Sequence, residues 1–227
     1  MGDDRSVFGR VALDIDALRE TSWATIGAVV IAGAVAVVLF HLTLPAISDA
    51  LAPVVDATGG LLEVTLLVNL AFVVVIVGGI ILRFGDLRPR DIGLVRADLP
   101  LGIGITAGTW ILVQVTGVAA LALQGESLAL ADSLIRVGIL PVLGGFIGQV
   151  FGNALYEETV YRAFLLPQLA KKFARQSWGE SPRTAFFLAL LASQVVFTLI
   201  HVPGRLAGGV EVGDLPVFLA APFVLGL

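Results

Sequence analysis

The chain has no cysteine, a single methionine at its start, two histidines and only 14% charged residues. The missing cysteine removes disulfides, thiolate metal ligands and a cysteine nucleophile in any redox compartment. There is no basic excess either. The formal net charge is -4, the isoelectric point is near 5.1, and the basic residues fall in short clusters between apolar runs. Such a chain presents no cationic field to nucleic acid, which is excluded as a partner. What it has in abundance is apolar surface: 57% of its 227 residues are hydrophobic and the mean hydropathy is +0.97. A soluble fold of this length could not cover that surface. The chain reads as an all-α, multi-pass integral membrane protein whose immediate partner is the lipid bilayer, with the cell membrane as the expected location.

A bilayer crossing takes about 20 apolar residues. Three such stretches run from Trp23 to Ile47, Leu61 to Leu82 and Leu99 to Leu123. A fourth region, Leu134 to Phe173, is too long for one straight span and holds Pro141, Gly144, Gly145, Gly148 and Gly152, so a broken or two-part helix is expected there. A fifth span runs from Thr184 to Val202, and a sixth begins near Leu215. The expectation is a bundle of about five full spans and a truncated sixth, with the chain ending inside that helix. No internal repeat or long linker interrupts it. The organisation is a polar, amphipathic segment over residues 1–22 and one membrane-embedded domain over 23–227. Within 1–22, Phe8, Val11, Ile15 and Leu18 recur at helical spacing, which fits a helix lying on the membrane surface, with a disordered polar tail as the equal alternative.

Basic residues favour cytoplasmic loops. Arg5, Arg10 and Arg19 precede the first span, Arg83, Arg88, Arg90 and Arg96 follow the second, and Lys171, Lys172, Arg175 and Arg183 follow the fourth. Residues 48–60 and 124–133 carry none. The alternation predicts a cytoplasmic N-terminus.

Against this background two adjacent carboxylates, Glu157 and Glu158, are anomalous. An ionised carboxylate at membrane depth is costly, and where one occurs it normally faces a protein interior or a wet cavity with a task to perform. At 100° per residue Glu158 and Arg162 share a helix face, so the guanidinium can hold the second carboxylate as a buried pair while Glu157 turns toward the neighbouring face. On the next span Ser193, Phe197 and His201 follow at steps of four and form one stripe. Glu157 lies 14 residues before Lys171 and His201 18 after Arg183, which sets both roughly 20 to 27 Å from the intervening loop at a rise of about 1.5 Å per residue. A carboxylate and an imidazole at one level are the parts needed to activate water.

Glu-Glu-x-x-x-Arg on one membrane helix and Phe-x-x-x-His on the next resemble the CAAX prenyl protease and bacteriocin-processing (Abi) family of intramembrane proteases. The resemblance is anchored in residues 135 to 205. It implies an endopeptidase whose site is Glu157, Glu158, Arg162 and His201, with Phe197 in support, acting on a membrane protein or lipidated peptide. The type case, the Ras-converting CAAX endopeptidase, trims prenylated proteins. The family's third motif, a His or Asn pair on a later helix, has no counterpart after His201, so the chain is expected to be a fragment of a longer protein or an incomplete relative.

Several readings stand beside this one. Glu158 and Arg162 can brace a bundle without chemistry. A membrane scaffold or ion-coupled transporter can use Glu157, Glu158, Arg162 and His201 as a proton path. A divalent metal, zinc, is the alternative to direct water activation and would draw on Glu157, Glu158 and His201. His41 is read as an interfacial histidine outside the motifs, and Tyr156, Tyr161 and Phe164 as packing aromatics. The side of the membrane is set by the fourth region. A single crossing puts the site in the outer half of the bilayer; a crossing by residues 134–151 followed by a reversal puts it near the cytoplasm, which the substrates implied by the resemblance favour.

Overall fold

A computed structural model describes residues 18–125, 138–176 and 181–225. The proposed surface helix over residues 8–20 falls almost wholly outside them. Among the described residues the chain is helical with no strand. Helix α1 spans Trp23–Ala57, α2 Val64–Phe84, α3 Leu99–Leu123, α4 Ile139–Ala174, α5 Pro182–Leu199, α6 Val202–Ala207 and α7 Leu215–Leu225. Among the described residues four stretches, namely α1, α2, α4 and α5 continued through α6, are long and apolar enough to cross a membrane. The protein is an integral membrane helix bundle.

Local chemistry sets the helix starts. Ser22 caps α1 by accepting the Thr25 N–H at 3.0 Å, and Ser181 caps α5 by accepting the Thr184 N–H at 3.1 Å with Pro182 behind it. Helix α1 runs through Pro45 and continues ten residues past the expected end at Ile47, through Pro53; prolines are tolerated in membrane helices because local winding re-satisfies the freed carbonyls.

The fourth region is neither two-part nor reversed. It is one continuous helix of 36 residues, and its irregularity is one of winding: α over Ile139–Ile147, π over Gly148–Ala154, α over Leu155–Glu157, π over Glu158–Leu165 and α again over Leu166–Ala174. Pro141 sits in the first turn, where it costs no backbone bond. The glycines serve close approach. A Cβ on Gly144 would overlap the Gly60 carbonyl, one on Gly148 the Glu63 carboxylate, and one on Gly152 would come within 3.2 Å of the Leu66 Cα. This spacing of small residues lets α4 lie against the start of α2.

The core joins Ile26 and Val29 of α1, Ile76, Val77 and Ile81 of α2, Tyr156, Val160, Tyr161, Phe164 and Leu165 of α4, and Ala189 and Phe197 of α5. Tyr156, Tyr161 and Phe164 are between 0% and 3% exposed, as expected of packing aromatics.

One end of the bundle is locked by polar contacts. The Thr21 N–H donates to Gln168 Oε1 at 2.9 Å, and the Thr21 hydroxyl donates to the Gly85 carbonyl at 3.0 Å. Glu20 pairs with Lys172 at 2.6 Å and Arg175 at 2.5 Å, and Lys171 donates to the Leu18 carbonyl. Hydrogen bonding to Lys172 holds the Glu20 carboxyl below its ordinary range. Asp91 accepts from the Arg88 backbone at 2.8 Å, from Arg88 Nε at 3.0 Å and from the Arg19 N–H at 3.4 Å. The start of α1, the end of α2 and the end of α4 therefore meet, and Arg19, Arg88, Lys171, Lys172 and Arg175 share this end of the molecule.

Candidate active site

Four of the crossing elements enclose a cavity of about 330 Å³. Val37, Phe40 and His41 of α1, Thr65, Asn69 and Phe72 of α2, Asn153, Tyr156 and Glu157 of α4, and Ile200, His201, Gly204 and Arg205 around the start of α6 line it. Glu157 Oε1 and His201 Nε2 are 3.9 Å apart, with side chains 20% and 28% exposed. The two are shielded by protein yet reachable from the cavity.

His201 owes its orientation to a break in the helix. Pro203 has no N–H to offer the Leu199 carbonyl, and its ring would crowd that group in a continuing helix. Helix α5 accordingly stops at Leu199 and α6 starts at Val202. The His201 N–H bonds to the Thr198 carbonyl at 3.1 Å instead of reaching Phe197. The Phe197 carbonyl is left to the imidazole, with Nδ1 at 2.8 Å. A carbonyl can only accept, so Nδ1 carries the proton, and in the neutral ring Nε2 presents a lone pair toward Glu157. The Phe197 ring adds a second hold, edge-on to the imidazole at 4.8 Å between centroids. It packs in turn against Tyr161 at 5.5 Å and lies under the Arg162 guanidinium at 4.9 Å.

The sequence-derived site is thus only partly assembled. Glu157, Phe197 and His201 come together. Glu158 does not line the cavity: its side chain is 63% exposed, and Arg162 approaches it at 3.6 Å, outside hydrogen-bond range. The expected buried Glu158–Arg162 pair is therefore an exposed i, i+4 ion pair on a stretch wound as a π-helix. Ser193 gives its hydroxyl to the Leu190 carbonyl at 3.0 Å and takes no part. The zinc set of Glu157, Glu158 and His201 is not brought together, and among the described residues no three His, Asp or Glu side chains gather closely enough to hold a metal ion.

Four polar residues of the cavity escaped the sequence reading as site groups. His41, expected at the interface, lines the same cavity, and a Cβ on Gly204 would lie 2.9 Å from its Nε2. Asn69 and Thr65 stand four apart in an otherwise apolar span, and Asn69 Nδ2 donates to the Thr65 carbonyl at 3.0 Å. That isolated polar pair was a usable signal. Asn153, one turn before Glu157, was another.

No curated protein and no solved structure matches the chain. Residues 139–227 match the family model described as type II CAAX prenyl endopeptidase Rce1-like. Glu157, Glu158, Arg162, Phe197 and His201 all lie inside that segment, so the similarity to this family and the two spacings Glu-Glu-x-x-x-Arg and Phe-x-x-x-His fall on the same residues.

Proposed function

We propose that the protein is an intramembrane endopeptidase in which Glu157 and His201 activate the attacking water directly. The observation that carries this reading is the approach of Glu157 Oε1 to His201 Nε2, 3.9 Å apart at one cavity wall. A water beside the pair gives one hydrogen to the carboxylate and the other to Nε2, which aims its oxygen lone pairs into the cavity. Glu157 takes the first proton as the oxygen attacks the peptide carbonyl carbon. The tetrahedral intermediate collapses by breaking the C–N bond, and Glu157 returns the proton to the departing nitrogen. His201 keeps its Nδ1 proton on the Phe197 carbonyl throughout and acts by orienting the water. The substrate is a membrane protein or lipidated peptide, the class to which the CAAX prenyl endopeptidase description points.

Glu157→Gln and His201→Ala test this in proteoliposomes, with a panel of quenched fluorogenic peptides carrying an apolar anchor. Each variant is expected to lose about 10²- to 10⁴-fold in kcat, and the double variant no more than the worse single one, because the two act as a unit. Parent-level cleavage by a folded Glu157→Gln protein sinks the proposal.

A further inference from the structure

We infer that the cavity is served from the extracytoplasmic side, so that its substrate is a peptide segment presented at the outer surface and not a cytoplasmic tail. The inference rests on the peptidase reading for what happens there, and on charge and depth for where it happens.

Glu157 is 17 residues from the end of α4 at Ala174, His201 is 19 from the start of the fifth crossing at Pro182, and His41 is 18 from the start of α1 at Trp23. At 1.5 Å per residue these are about 25 to 29 Å from the basic end, close to the full depth of a hydrocarbon core of roughly 30 Å. Thr65 and Asn69 agree from the other direction, since α2 begins at the opposite end with Val64. The cavity therefore lies at the margin farthest from the basic clusters.

Among the described residues the far end bears Asp49, Asp56, Glu63, Glu211 and Asp214 against Arg205. The near end holds Arg19 before α1, Arg88 after α2 and Lys171, Lys172 and Arg175 at the end of α4, brought together by the contacts of Thr21, Glu20 and Asp91. Short connections rich in Arg and Lys stay in the cytoplasm. The continuous α4 removes the reversal that would have carried Glu157 back toward that side.

The chain has no native cysteine, so single cysteines report access directly. Ala57→Cys marks the far end, Gln176→Cys the basic end and Thr65→Cys the cavity. Each is treated with a membrane-impermeant maleimide in right-side-out and in inverted vesicles from a bacterial host. The expected result is labelling of Ala57→Cys and Thr65→Cys in right-side-out vesicles, and of Gln176→Cys only in inverted ones. The opposite pattern at Ala57 and Gln176 overturns the orientation. Labelling of Ala57→Cys with Thr65→Cys unreactive in right-side-out vesicles overturns the access. None of these readouts depends on peptide cleavage, so failure of the peptidase reading would be seen separately, in Glu157→Gln.

Discussion

Phe197 tests whether the spacing Phe-x-x-x-His describes packing or positioning. Its carbonyl fixes the His201 tautomer and its ring fixes the imidazole plane, so Phe197→Leu removes the second hold and leaves the first. The ring makes two aromatic contacts, with Tyr161 and His201, and one cation–π contact with Arg162. At about 0.5 to 1.5 kcal/mol for each aromatic pair and a similar value for the cation, the loss comes to about 2 to 3 kcal/mol once non-additivity is allowed for. That should appear as a lower melting temperature in detergent. The consequence for catalysis is separate. An imidazole free to rock moves Nε2 away from the 3.9 Å approach to Glu157, and a displacement near 1 Å can cost about 10²-fold. The measurement is kcat and KM on the fluorogenic panel well below the variant's melting temperature. A fall in kcat with KM unchanged supports positioning. A lower melting temperature with parent kcat would show that the ring only packs, and the reasoning about His201 would be wrong.

Three other outcomes follow from the same geometry. Pro203→Ala restores a backbone donor for the Leu199 carbonyl and lets α5 run into α6; His201 N–H then competes for the Phe197 carbonyl, so stability should hold or rise while kcat falls, and a variant as active as the parent would deny the break its role. Gly144→Ala must displace the Gly60 backbone, costing about 1 to 3 kcal/mol, whereas Gly145→Ala meets nothing within 4 Å and should be neutral or stabilise by up to about 1 kcal/mol; equal melting temperatures would contradict the helix contact. Burial pushes the Asp91 carboxyl up, but the Arg88 side chain, the Arg88 N–H and the Arg19 N–H outweigh it and hold the carboxyl below its ordinary value of 3.8. The stability it lends is therefore full above the ordinary carboxylate range and lost as pH falls through that range toward the folded value. Asp91→Asn should cost about 1.5 to 3 kcal/mol near neutral pH and flatten the acid side of the melting-temperature profile, and an unchanged profile would assign the acid sensitivity elsewhere.

The membrane class, the crossing helices and the meeting of Glu157 with His201 were legible because each depends on features local in sequence: apolar run length, residue spacing, and distance from a basic loop. The burial of Glu158 was misjudged for a related reason. Helical spacing says which residues share a face, and Glu158 and Arg162 do share one, but whether another helix covers that face depends on long-range packing. The glycines of α4 carried two meanings, flexibility or close approach, and only the partner at Gly60, Glu63 and Leu66 decides between them. His41 stayed hidden because its place in the cavity depends on how α1 packs against α6, a contact about 160 residues away in sequence.

Those long-range contacts also explain why the site is where it is. The polar lock of Thr21, Glu20 and Gln168 fixes α1, α2 and α4 at the basic end, while the glycine contacts fix α4 to the start of α2 at the other. Between these two fixed points the π-wound stretches flank the short α-turn Leu155–Glu157. Each residue of π-helix advances the chain by a smaller angle than α-winding, so the register at Glu157 depends on how many residues are wound each way. Helix winding around functional groups is a recurrent use of π-turns. Neighbouring helix residues point about 100° apart, so the register that brings Glu157 to the cavity beside His201 leaves Glu158 exposed toward Arg162. The division of labour between the paired glutamates is a property of the backbone on either side of them.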